Sequence, residues 1–131
     1  MTHEVKRVLV AEDNAAMGSV VRFNLEKAGF QVTVAGCGQA AWNLLNERGF
    51  DLVISDFQMP GMTGEELCRR MRKDSRLAEI PVILLTAKCL ELDKDRLRSE
   101  LGTSALMSKP FSPRELTQTV RDCLAVGATV A

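Results

Sequence analysis

The chain has 131 residues, the size of one domain, and 46% of them are hydrophobic, enough for a core that needs no disulfide or metal to support it. Seventeen Lys and Arg residues balance seventeen Asp and Glu residues, so no net charge attracts the chain to nucleic acid or to an anionic membrane. The four cysteines lack the paired spacing of a zinc site, and no segment has the length of a membrane span. We therefore expect a cytoplasmic protein with reduced thiols and without direct nucleic-acid or membrane partners.

Five short segments rich in Val, Ile and Leu predict strands buried on both faces. Between them, apolar residues recur on one helical face, as Met17, Val21 and Leu25 do in the first intervening segment. Strict alternation of strands and helices predicts an α/β fold, with a parallel sheet layered between helices and right-handed crossovers. The predicted strands are residues 7–11, 31–35, 51–55, 81–85 and 104–107.

Glycines and capping residues mark the predicted helix ends. Gly29, Gly49 and Gly102 lie where the first, second and fourth helices should stop, matching the left-handed residue that ends many helices. Thr63 and Ser112 are each followed three residues later by Glu, the pattern of a capping box. The basic run at 69–76 could contact a partner, but a solvated helix face followed by a loop is the favoured interpretation. No second domain is evident.

Polar side chains stand at the carboxyl ends of the predicted strands: Glu12 and Asp13 after the first, Asp56 at the third, Thr86 at the fourth and Lys109 after the fifth. In a parallel sheet these ends share one edge, which is where open α/β sheets bind ligands. Three carboxylates in one crevice repel each other, and one lysine with one divalent cation would neutralise them. Because all the ligands are oxygens, Mg²⁺ is the favoured metal.

The same residues predict a chemistry. A carboxylate beside a metal, a lysine and a hydroxyl donor is an arrangement suited to phosphoryl transfer. Asp56 could serve as the nucleophile and form an aspartyl phosphate, while Lys109 and Thr86 would face the incoming anion. A lone acid at a strand end is usually only a turn or cap residue, so this prediction depends on the acids occurring together.

The motifs "AEDN", "ISDFQMPGMTG", "LLTAK" and "MSKPF" resemble the receiver domain of two-component response regulators, in family order and spacing. The resemblance extends from about Lys6 to about Leu124, within a single receiver domain over residues 1–131. It implies a flavodoxin-like (βα)5 three-layer sandwich with the strand order 2-1-3-4-5. It also implies a signalling switch whose own activities are limited to self-phosphorylation and autodephosphorylation, rather than an enzyme.

Residue roles follow from the resemblance. Asp56 would accept a phosphoryl group from a phosphohistidine on a sensor histidine kinase or a histidine phosphotransfer protein, whose specificity would depend on helix one and the loop after strand five. Asp13, Asp56 and the main-chain carbonyl of Gln58 would ligate Mg²⁺ directly, and Glu12 would act largely through water. Lys109 would bind a phosphoryl oxygen.

Further implications of the resemblance concern the residues around these. Thr86 would close on a second phosphoryl oxygen, and the Lys109-Pro110 bond would be cis. Lys88, with Gln58, would flank the path of the hydrolytic water and tune the phosphoryl lifetime. Receivers usually have Tyr or Phe three residues before the lysine, whereas this chain has Leu106.

Alternative functions remain. The chain could be an excised receiver of a larger regulator whose output domain is missing, or a single-domain regulator that acts by contact. A phosphatase of the haloacid dehalogenase type also uses an aspartate nucleophile after a strand, but its general acid is an Asp two residues on, where this chain has Gln58. A flavodoxin-like cofactor binder would need a phosphate-binding loop after the first strand, where Glu12 and Asp13 place negative charge.

Overall fold

The structure is a computed structural model that describes residues 5–87, 94–109 and 111–129. Within these residues, five parallel strands form one sheet in the order β2-β1-β3-β4-β5 and alternate with five helices. This confirms the flavodoxin-like fold. The elements are β1 (Arg7–Ala11), α1 (Ala15–Lys27), β2 (Gln31–Ala35), α2 (Gly38–Glu47), β3 (Leu52–Asp56), α3 (Gly64–Lys73), β4 (Val82–Thr86), α4 (Lys94–Leu101), β5 (Ala105–Ser108) and α5 (Pro113–Thr129).

The core consists of one apolar layer on each face of the sheet. Helices α1 and α5 cover one face, and α2, α3 and α4 cover the other. Every residue of β3 and β4 is buried, as expected for central strands with helices on both sides. The buried helix residues include Val21, Leu25, Leu116 and Val120 on the first face, and Ala41, Leu45, Leu67, Met71 and Leu101 on the second.

Strands β3, β4 and β5 begin and end one residue later than predicted. Proline has no N–H to donate, and Pro81 contributes only its carbonyl, which accepts a hydrogen bond from the Val53 N–H at 3.0 Å. Asp51 instead receives the N–H of Arg7 on its carboxylate at 2.7 Å, in the turn before β3. Asp56 and Thr86 are consequently the last residues of their strands, at the edge of the sheet.

The predicted helix starts and ends are confirmed, but one of the three glycines lacks the predicted left-handed conformation. The side-chain oxygens of Thr63 and Ser112 each accept a hydrogen bond, at 3.1 Å, from the backbone N–H of the residue three positions later. Gly29 and Gly102 have positive φ angles of 102° and 61°. Gly49 also lies just beyond its helix, two residues after Glu47, but its φ angle is not positive, because Arg48 before it already turns to extended backbone.

In the part of the chain that the structure describes, no helix combines the length and the apolar character required to cross a bilayer.

Candidate functional site

Three carboxylates meet at the carboxyl edge of the sheet. Glu12 and Asp13 follow β1, and Asp56 ends β3, which pairs directly with β1. One carboxylate oxygen from each of the three lies within 4.8 Å of those of the other two. Glu12 is only 2% exposed and Asp56 9% exposed, while Asp13 is open to solvent. The structure thus brings together the three acids that the sequence predicted to cluster.

Lys109 reaches the same cluster from beyond β5. Its Nζ lies 3.1 Å from Oε1 of Glu12 and 2.9 Å from Oδ1 of Asp56. The backbone of Lys109 is fixed as well, because its N–H donates to the Thr86 carbonyl at 2.7 Å. One ammonium group therefore bridges two carboxylates that would otherwise repel each other across the crevice.

Burial and pairing act in opposite directions on these charges. Burial raises the pKa of Glu12 above its ordinary value, and the Asn14 N–H and Lys109 compensate only in part. For Lys109, burial is the largest influence and lowers the pKa, but hydrogen bonds to Asp56 and Glu12 and the charges of both carboxylates together outweigh it, so its pKa is raised. Lys109 therefore stays protonated at neutral pH.

The donor set fits a hard divalent cation. Three carboxylates against one ammonium group leave two negative charges when all are ionised. All three groups that could bind a metal are carboxylates, and Mg²⁺ prefers such oxygen ligands to softer ligands. Asp13 is exposed and could approach an ion from the solvent side, while Glu12 lies deeper. Gln58 lies exposed in the connection that follows Asp56, and the ligation of a metal by its carbonyl stays a prediction.

Thr86 ends β4 and is buried. Its Oγ1 donates to the Met107 carbonyl of the neighbouring strand β5 at 3.4 Å. The hydroxyl is therefore engaged with β5 in this structure. Its predicted closure on a phosphoryl oxygen would require this long, weak hydrogen bond to break.

Two residues missed by the sequence reasoning hold the backbone at Asp56. Ser55 donates its hydroxyl to the Asp56 carbonyl at 3.0 Å. Gly64, the first residue of α3, approaches the same carbonyl so closely that a Cβ there would overlap its oxygen. The N–H of Gly64 also donates to the Phe57 carbonyl at 3.0 Å. Gly64 is the last residue of the motif "MPGMTG", but its contact with the Asp56 carbonyl depends on where α3 lies, which the sequence does not indicate.

Two sequence predictions cannot be placed in this site. Lys88, predicted to influence the phosphoryl lifetime, lies outside the described residues, and so does Pro110, whose peptide bond was predicted to be cis.

Comparisons with known proteins identify the family. The model of the response regulator receiver domain matches residues 8–121. The sensory transduction protein RegX3 of Mycolicibacterium smegmatis is 38% identical over 121 residues, which are 92% of this chain and 51% of that protein. The chain thus spans about half the length of this curated relative.

Solved structures show the same fold. Chemotaxis protein CheY4 of Vibrio cholerae superposes with a TM-score of 0.85 at 28% identity, covering 92% of this chain and 99% of that one. The receiver domain of Francisella response regulator 1452 gives a TM-score of 0.84 at 30% identity, covering 93% of this chain and 98% of that one. With a family model matching most of its length and the acidic cluster in place, the chain belongs to the response regulator receiver domain family.

Proposed function

We propose that this receiver is a phosphorylation-dependent switch that accepts a phosphoryl group on Asp56 while Mg²⁺ is bound beside it. The observation that supports the proposal is the cluster of Glu12, Asp13 and Asp56 with Lys109 bridging two of its members at 3.1 and 2.9 Å. The donor would be a phosphohistidine on a sensor histidine kinase or a histidine phosphotransfer protein, in agreement with the family.

In the proposed reaction, a carboxylate oxygen of Asp56 attacks the phosphorus of the donor. The new P–O bond forms as the P–N bond breaks, and the electron pair of that bond leaves with the imidazole, which takes up a proton from solvent. Lys109 already contacts Asp56 and would neutralise the charge that the phosphoryl oxygens bring. Bound Mg²⁺ would supply further charge neutralisation, held by Asp13, Asp56 and the Gln58 carbonyl, with Glu12 acting through water.

The donor protein would dock beside this edge on α1. Val20 and Phe23 are large apolar residues that are 54% and 66% exposed on α1. Met17 of α1 and Phe111, in the loop after β5, are half-buried nearby and line a shared groove with Val20. This surface coincides with helix one and the loop after strand five, where the family resemblance places donor specificity.

Other expectations also stay proposals. These are a receiver domain that occupies all of residues 1–131, the output target or output domain, a cytoplasmic location, and the lack of direct nucleic-acid and membrane partners. The phosphatase alternative is disfavoured, because the Gln58 side chain cannot act as the carboxylic acid that such an enzyme needs.

The proposal is tested by phosphorylation with a small donor. Acetyl phosphate with Mg²⁺ should add one phosphoryl group per chain in intact-mass measurements, and Asp56→Asn should add none. Asp122→Asn, which changes an exposed aspartate on α5, is the matched control and should label like the unmodified protein. Equal labelling of Asp56→Asn, or labelling that EDTA leaves unchanged, would contradict the assignment.

A further inference from the structure

Helix α2 begins directly against the connection that follows Asp56. A Cβ on Gly38, the first residue of α2, would overlap the carbonyl oxygen of Met62 and lie 2.8 Å from its Cβ. Carbon atoms in favourable contact are about 3.5 Å or more apart, so the added methyl group would be about 0.7 Å too close. Only glycine fits at this position without moving its neighbours.

The connection that Gly38 touches is fixed at both ends. Met59 and Met62 are both buried in the apolar layer that α2 covers. Beyond Met62, the connection is tied to α3, since the Gly64 N–H donates to the Phe57 carbonyl and Gly64 rests on the Asp56 carbonyl. If a side chain on α2 displaced Met62, this residue could therefore not move towards α3.

The exposed residues of the connection, on either side of Met59, are the part free to yield. Gln58, Pro60 and Gly61 are exposed, so moving them disturbs little packing. Helix α2, by contrast, is anchored by Ala41 and Leu45, which are buried in the same apolar layer. A side chain at position 38 would thus displace the connection rather than the helix.

We propose that Gly38 is a positioning residue for the metal site: by leaving room for Met62, it sets the place of the connection that contains Gln58. The inference rests on the proposed function, in which the Gln58 carbonyl ligates Mg²⁺. Mg²⁺ demands near-ideal octahedral geometry, and constellations of this kind tolerate displacements of only about 0.5 Å. A methyl group at position 38 would require Met62 to move by a distance of that size, and Met62 belongs to the same connection as Gln58.

The chain offers a matched control two residues earlier. Gly36 lies in the same β2–α2 connection and is exposed. A Cβ there would meet nothing within 4 Å, and its φ angle is not positive, so alanine is compatible with its backbone. The two substitutions add the same methyl group and differ in whether that group reaches Met62.

The test is metal affinity measured without phosphorylation. Mn²⁺ as the probe, with the free ion followed by electron paramagnetic resonance, should bind Gly38→Ala about tenfold more weakly than the unmodified chain. Gly36→Ala should stay within about twofold, as expected for a surface substitution. Urea unfolding of each metal-free variant identifies any loss of affinity that comes from loss of folding. Unchanged affinity in a folded Gly38→Ala would overturn the inference, whereas failure of the unmodified chain to bind Mn²⁺ would overturn the proposed function itself.

A second measurement needs no substitution. When Mg²⁺ is added to the unmodified protein, the amide NMR signals of Gly38 and Met62 should shift together with that of Gln58, and the signal of Gly36 should shift less. Shifts at Gln58 without any at Gly38 and Met62 would show that α2 does not contact the metal site through this connection, and would also overturn the inference.

Discussion

Glu12 places a carboxylate where water hardly reaches. Its side chain is 1% exposed. Its pKa is raised because the effect of burial outweighs the hydrogen bonds from the Asn14 N–H and Lys109, which lower the pKa. A buried ion pair is often no more stable than a neutral pair of similar shape, since both charges lose their hydration. We therefore expect the buried charge of Glu12 to reduce the stability of the metal-free protein, and the role proposed for it is in metal binding.

Replacing Glu12 by Gln should stabilise the metal-free protein at pH 7 by about 1 kcal/mol, because the buried charge disappears while its shape is kept. Lys109, which lies 2.9 Å from Asp56 in the unmodified protein, should keep that carboxylate as its partner. Urea unfolding in EDTA measures the change in the free energy of unfolding. In the same variant, Mg²⁺ affinity should fall.

The stabilisation of the metal-free protein by Glu12→Gln should depend on pH in a defined direction. Since the folded pKa of Glu12 is raised, the folded state binds its proton more readily than the unfolded state, and the stability of the unmodified protein falls as pH rises from the unfolded to the folded pKa. The advantage of Glu12→Gln should thus vanish below the ordinary pKa of 4.5, where Glu12 is neutral in both states. A less stable Glu12→Gln at pH 7 would show that the pair with Lys109 outweighs burial.

At the scale of elements, Arg72 of α3 connects three parts of the second apolar face. Its guanidinium donates to the carbonyls of Leu101 and Gly102 at the end of α4, at 2.7 and 3.1 Å. It also donates to the carbonyls of Ala78 and Ile80 before β4, at 3.1 and 2.9 Å. The prediction of a solvated basic face at 69–76 is therefore wrong for Arg72, although Arg70, Lys73 and Arg76 are exposed.

Arg72→Ala should lower the free energy of unfolding by about 2 kcal/mol, because several partly buried carbonyls lose a charged donor. Lys73→Ala, an exposed neighbour on the same helix, should change it by less than about 0.5 kcal/mol. Thermal or urea unfolding measures the stability of both variants. Arg72→Lys should recover only part of the loss, since one ammonium group cannot replace the several N–H donors of the planar guanidinium group. Equal midpoints for Arg72→Ala and Lys73→Ala would mean that these bonds add nothing to stability.

At the scale of the whole molecule, the proposed switch requires phosphorylation of Asp56 to change a surface distant from it. Leu106 lies on β5, partly buried against the layer of α2, α3 and α4, at the position where receivers usually have an aromatic ring. Leucine has less area to move between solvent and core, so less free energy is available to couple Thr86 to the face formed by α4, β5 and α5.

We expect the response to concentrate in the loop after β4. With a beryllofluoride mimic of the phosphoryl group, amide NMR shifts should be larger at Ala87 to Cys89 than along α4 and α5; of that loop segment, only Ala87 belongs to the described residues. If amides around Leu106 and along both helices shift as much as the loop does, the leucine has not weakened the coupling.

Much of this could be predicted from the sequence. The central strands are buried on both faces, so their apolar runs are unbroken, and the acids at their ends fall on one edge because parallel strands share direction. Arg72, Gly38 and Gly64 could not be assigned, since their contacts depend on how α2 and α3 are placed on the sheet. The shift of one residue in β3 and β4 depends on which backbone groups pair, as at Pro81, and apolar patterns do not report that.

Locating the phosphoryl group shows whether Asp56 is the acceptor. After labelling with acetyl phosphate and Mg²⁺, borohydride reduction converts an aspartyl phosphate to homoserine, which peptide mass spectrometry assigns to one residue. We expect homoserine at position 56 and at no other aspartate. Modification of Asp13 or Glu12, or a phosphoryl group that borohydride does not remove, would contradict this expectation.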